Sequence, residues 1–226
     1  MTIRPIKNIP AWWWAGLPLA MLLLTVAAFF ASPDYLQMLI RKDTGPDGGG
    51  IAEHATVLVL LPGILAGAAV LLHYRTQLPH WLTGWVLGLT LACIYFAGEE
   101  ASWGQHYLHW GTPDLLQAVN DQQETNLHNI GTWFDQKPRT LVELWVLVAG
   151  LILPLWWVIR RRAPYGRKKW REWFWPTWVG ILTAAIYLGT HILGTSGKIT
   201  GRHALQLIGA NELREFYIAM FLSTYL

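Results

Sequence analysis

Apolar residues run along this chain in long unbroken stretches rather than alternating at strand or amphipathic-helix spacing. Crossing a ~30 Å hydrocarbon core takes roughly 20 apolar residues. Stretches that meet or approach this length cover residues 12–31, 51–74, 81–98, 141–159, 174–193 and 204–226. The pattern predicts an all-α, polytopic membrane helix bundle with about six transmembrane helices, forming one integral membrane domain over residues 1–226. Five spans remain the alternative, because the last stretch carries Asn211, Glu212, Arg214 and Glu215. Lipid excludes such residues, so that helix is expected inside the bundle. The first run, Ala11 to Ala31, is longer than a signal-peptide core and no small-x-small cleavage site follows, so it reads as a retained span.

Between the spans the punctuation is specific. Asp34 to Lys42 suits a short interfacial helix, and Thr44 to Gly50 a loop. Short helices are expected between the third and fourth spans. Thr112-Pro113-Asp114 has the order of an N-cap and first turn, and Asp121-x-x-Glu124 that of a capping box. Thr140-x-x-Glu143 is a second capping box, expected to open the fourth span, which Pro154 should bend. Gly63 with Gly67, and Gly84 with Gly88, are small-xxx-small pairs that allow close helix approach.

Composition sharpens the class. Of 226 residues, 53% are hydrophobic and 14% charged, which excludes an ordinary soluble domain. Many of the 15 tryptophans stand where apolar runs begin or end, as expected of a membrane–water boundary. Cys93 is the only cysteine, so neither an intrachain disulfide nor a cysteine-based metal site can form. The basic excess is local: Arg160, Arg161, Arg162, Arg167, Lys168, Lys169 and Arg171 share one loop. It therefore gives no support to nucleic-acid binding, and it suits contact with anionic lipid headgroups. By the positive-inside rule that loop is cytoplasmic, with Arg4, Lys7 and Arg75 on the same side. Both termini are then cytoplasmic, in the inner membrane of a bacterium.

This topology gathers the chemistry at the outer face. Glu53 and His54 open the second span there, Glu99 and Glu100 close the third, and His191, His203 and Glu212 come from the last two. The densest polar stretch is Gly98 to Gly131. If the third helix continues past Gly98, Glu99, Ser102, Trp103 and His106 share a face. Glu124 and His128, at i and i+4, can turn toward one divalent ion. Glu99, Glu100, Glu124 and His128 are the candidate catalytic residues, and Trp103, Asn120, Asn126 and Asn129 the candidate substrate contacts. Glu100, Glu124 and His128 are the candidate ligands for zinc, iron or manganese, with Glu212, Glu215, His54 and His106 in reserve. Each has a plainer reading. Glu124 completes a capping box, His128 favours a helix dipole, and Glu212 and Glu215 can be structural ion pairs with Arg214 held by another span. Glu143 is assigned to capping.

The strings GEEASWGQ and NDQQETNLHN resemble a motif pair, EExSWGQ with NxQxETNLHN, of bacterial multi-pass membrane proteins. Those proteins also carry a late acidic helix similar to NELREFYIAM here. The resemblance covers about fifty residues and implies a site but brings no reaction with it. Such proteins often have Arg where His106 stands, which moves His106 behind the other candidates. In arrangement alone the chain is similar to membrane hydrolases of the alkaline ceramidase type. The leading expectation is a metal-dependent hydrolase acting on a lipid or other amphiphile. The alternatives are a non-enzymatic accessory subunit of a larger membrane complex and an ion- or proton-coupled carrier.

Overall fold

In the computed structural model, residues 9–41, 49–117, 125, 132–160, 174–175 and 177–226 are described, those at 116–117 and 132–138 by their backbone alone. All regular structure among them is helical. Helix α1 is Trp12–Ala31, α2 Pro33–Ile40, α3 Ile51–Tyr74 and α4 His80–Glu100. Two short helices follow, α5 at Gln105–Leu108 and α6 at Asp114–Gln117. Helix α7 runs over 132–159, α8 is Gly180–Thr200, α9 His203–Ile208 and α10 Asn211–Tyr225.

Four of these, Trp12–Ala31, Ile51–Tyr74, His80–Glu100 and Arg139–Ile159, are long and apolar enough to cross a membrane. With 21 residues, α8 is as long as α4 but more polar, and its bounds lie about six residues later than the expected 174–193. The last stretch is not one helix from residue 204. Gly209 and Ala210 break it into α9 and the 15-residue α10, which spans only ~22 Å. The break has a packing cause. A Cβ on Gly209 would fall 2.2 Å from the Gly194 nitrogen, so α9 folds back against α8 with backbone on backbone.

Helix α10 is the axis of the bundle. Leu213, Phe216 and every residue from Tyr217 to Thr224 are buried, as expected for a helix unfit to face lipid. It runs parallel to α3. Ser223 sits against Gly63, where a Cβ would meet the Ser223 backbone at 2.7 Å, and the Gly63 N–H donates to Ser223 Oγ at 3.0 Å. Gly67 approaches a different neighbour, Thr90 of α4. The first small-residue pair therefore serves two contacts, whereas Gly84 and Gly88 have nothing within 4 Å.

Two π-helical turns, Trp12–Gly16 and Val148–Ile152, each stand just before a proline, Pro18 and Pro154. A wider turn makes room for a ring that would otherwise strike the preceding carbonyl. The Thr140–Glu143 capping box is corrected: α7 starts at Thr132, so Glu143 lies a further two turns along it. The Glu143 carboxylate binds arginines instead. At the far end from Glu100 and Glu212, Trp85, Trp145, Phe174 and Tyr225 pack ring against ring. Trp85 Nε1 donates to the Tyr225 hydroxyl at 2.9 Å, and that hydroxyl donates to the Phe174 carbonyl.

Candidate functional site

The site begins where α4 stops. Glu100 is its last helical residue, and Ser102 and Trp103 then adopt φ of 42° and 55°. Left-handed backbone costs a side-chain-bearing residue on the order of 1–2 kcal/mol, so packing must enforce it here. The turn folds the Trp103 ring over Gly98, where a Cβ would come within 2.9 Å, and carries Nε1 to donate to Glu99 Oε1 at 2.7 Å. Gly104 follows with φ of 102°, a conformation that suits only glycine. The shared face of Glu99, Ser102, Trp103 and His106 is therefore corrected. The helix ends too early, and Trp103 reaches Glu99 by folding back instead.

Beyond the turn, α5 presents its residues to the start of α3. His106, itself buried, brings Nδ1 to 3.5 Å from Glu53 Oε1. The Tyr107 hydroxyl lies 3.2 Å from His54 Nδ1. Burial, and then the Glu53 carboxylate, push the Tyr107 hydroxyl above its ordinary pKa. Glu53 and His54, the weaker candidates by sequence, thus join the site. His106 meets a carboxylate, and among the described residues it belongs to no group able to hold a metal.

Glu100 is the electrostatic centre. Its carboxylate lies within the field of Glu215, Glu53 and Glu212 and of the Arg139 guanidinium. Next to it runs a chain of ion pairs. Arg139 NH1 donates to Glu215 Oε1 at 2.7 Å and its Nε to Glu143 Oε1 at 3.1 Å. Arg214 NH2 donates to the same Glu143 oxygen at 3.0 Å, and its NH1 to Asn211 at 3.1 Å. Arg214 therefore does find its partner on another span, in Glu143. Tyr187 of α8 adds its hydroxyl to the surroundings of Glu143, and that hydroxyl is 3.5 Å from His191 Nδ1. Sequence reading missed this chain, although Arg139 and Glu143 at i and i+4 on an apolar helix are a visible signal. His109 and His203 stay exposed.

The two motifs meet. Gln105 Oε1 accepts the Thr125 N–H at 2.8 Å and the Thr125 hydroxyl at 2.9 Å, while Gln105 Nε2 donates to Thr112 Oγ1 at 2.8 Å. Trp110 Nε1 donates to Thr125 Oγ1 at 3.4 Å. Asn120, Glu124, Asn126, His128 and Asn129 lie outside the described residues, as does the Asp121–Glu124 capping box. Carboxylate and imidazole donors suit zinc, iron or manganese chemically. Yet among the described residues no three His, Cys, Asp or Glu side chains form a group able to hold a metal. A metal-centred step therefore cannot be built from them.

Fold and site together define a helical protein with four helices long and apolar enough to cross a membrane and a carboxylate-rich polar cluster at one end of the bundle. Comparison of the chain with protein-family models, with curated proteins and with solved structures gives no match.

Proposed function

We propose that this chain is a bacterial inner-membrane enzyme of hydrolase type, acting on a lipid or other amphiphile at its extracytoplasmic face. The observation that carries this reading is that Glu100 stands within the electrostatic reach of Glu53, Glu212 and Glu215 and of the Arg139 guanidinium. Carboxylates drawn together in apolar surroundings can accept and return a proton, which is the requirement for general acid–base work. In hydrolysis one of them takes a proton from the attacking water as its oxygen bonds the acyl carbon. The proton then passes to the leaving oxygen or nitrogen as that bond breaks. Glu100 is the residue assigned this role, with Glu99 beside it fixed by Trp103. The exposed rings of Trp103, Tyr107 and Trp110 suit an amphiphile arriving from the bilayer. A zinc, iron or manganese ion belongs to this reading only with Glu124 and His128 among its ligands.

At the ends of α4 and α10 away from Glu100 and Glu212, the rings of Trp85, Trp145, Phe174 and Tyr225 pack together, which supports access from the Glu100 side and speaks against a carrier. The alternative of an accessory subunit draws support from the open strip at Gly84 and Gly88, where another helix can approach closely. The test is to incubate the purified full-length protein with a panel of ester- and amide-linked amphiphiles and follow headgroup release by mass spectrometry, with and without a chelator. Turnover of a panel member supports the enzyme, and its loss on chelation assigns a metal. No turnover, together with stable co-purifying membrane subunits, overturns it in favour of the accessory role.

A further inference from the structure

Between α4 and α6 the polarity of the chain is inverted. Ser102, Gln105, His106 and Thr112 are buried, whereas Tyr107 is half exposed, Leu108 is 72% exposed and Leu115 85%. A segment facing water shows the reverse, because apolar side chains withdraw from water and polar ones do not. The polar groups here engage the protein: Gln105 Nε2 donates to Thr112 Oγ1, and His106 Nδ1 approaches Glu53. From Ala101 to Pro113 there is no Lys, Arg, Asp or Glu.

A second observation ties the inversion to lipid. On α4, Leu87, Leu91 and Ile94 are exposed at helical spacing, in a stripe whose next member is Gly98. The Trp103 ring covers Gly98 and meets the Tyr95 ring edge-on, with 6.3 Å between centroids. The apolar outer side of α4 therefore continues onto Trp103, where the left-handed turn folds the chain back. His109 and Asp114, also exposed, set the depth, since both belong at headgroup level.

We propose that residues 103–115 lie along the membrane surface on the Glu100 side, in the boundary between phospholipid headgroups and acyl chains. Trp103 and Trp110 stand at headgroup level, and Tyr107, Leu108 and Leu115 reach toward the acyl chains. The partner is the phospholipid leaflet. This goes beyond the hydrolase reading and holds equally for an accessory subunit; it rests on α4 crossing the bilayer.

The test attaches the small fluorophore NBD to Leu108→Cys, Leu115→Cys, Leu91→Cys and Arg75→Cys in the full-length protein. All four positions are exposed, so the core packing is left alone. Wild type, whose one cysteine is fully buried, is the control for stray labelling. Each protein is reconstituted in phosphatidylcholine–phosphatidylglycerol vesicles. Quenching is read with a spin label high on the lipid acyl chain, with one near the chain end, and with iodide on both sides. At 108 and 115 the shallow label is expected to quench about twofold or more better than the deep one, with iodide quenching less than about half that at 75. The probe at 91 should answer best to the deep label. Iodide quenching at 108 and 115 equal to that at 75, without response to either lipid label, puts the segment in water and overturns the proposal. Shielding from all three quenchers puts it under protein, a second copy included, and overturns it too, as does stronger quenching by the deep label. If the probe at 91 also answers to iodide alone, α4 does not cross the bilayer and the membrane reading falls with the proposal. No outcome depends on turnover, so the hydrolase reading stands or falls separately.

Discussion

Replacing Glu143 by glutamine should destabilise the bundle far more than the loss of an exposed ion pair would. One oxygen of Glu143 accepts from both Arg139 and Arg214, and the three side chains are 20%, 17% and 11% exposed. This places the network between two limits. Exposed pairs are worth about 0–1 kcal/mol, whereas removing one member of a buried pair costs about 3–5 kcal/mol because a charge is stranded. Glutamine keeps an acceptor oxygen, and Arg139 keeps Glu215. Arg214, left with Asn211, therefore carries most of the penalty. The expected loss is about 2–3 kcal/mol, which for a chain of this size lowers the melting point by roughly 5–10 °C. The assay is a double-mutant cycle of Glu143→Gln with Arg214→Gln, unfolding in mixed micelles with rising SDS and following circular dichroism. A coupling of about 1–3 kcal/mol is expected, against none for Glu143→Gln combined with Arg75→Gln at the other end. Additivity within about 0.3 kcal/mol for the Arg214 pair would refute the shared-carboxylate account.

Other outcomes follow from packing and topology. Gly63→Val, whose Cβ would stand 2.7 Å from the Ser223 backbone, should cost about 1–3 kcal/mol or more in the same SDS titration. Gly84→Ala, with nothing within 4 Å, should be neutral or gain up to about 1 kcal/mol of helix propensity; equal losses would place the close crossing elsewhere. Because Cys93 is fully buried, it should not react with a membrane-impermeant maleimide on intact cells. Trp103→Cys should then label from outside and Gly166→Cys only after lysis, and the reverse pattern would invert the proposed orientation.

Much of the fold is legible because lipid imposes a severe filter: long apolar runs became helices, and the ends of α3 coincide with the stretch read at 51–74. The buried placement of the last helix was equally legible, since Glu212 and Arg214 rule out a lipid-facing surface. The break at Gly209 was not, because it arises from contact with Gly194, which no local pattern encodes. Within the site, the gathering of Glu53, Glu100 and Glu212 at one end followed from counting crossings. The details did not. Local spacing put Ser102, Trp103 and His106 on a helix that in fact ends at Glu100, because the left-handed turn is set by Trp103 packing on Gly98. Glu143 looked like a cap, since the pattern of a capping box is indistinguishable from that of a carboxylate awaiting two distant arginines.

The most direct test of the central claim is turnover of an amphiphile by Glu100→Gln, measured beside wild type and Glu100→Asp at matched folded fraction. The acid–base account predicts a fall of about 100-fold or more in kcat for the glutamine variant, with partial recovery in the aspartate variant and little change in KM. A Glu100→Gln protein that turns over at the wild-type rate would contradict it and leave the carboxylate cluster a structural feature of the bundle.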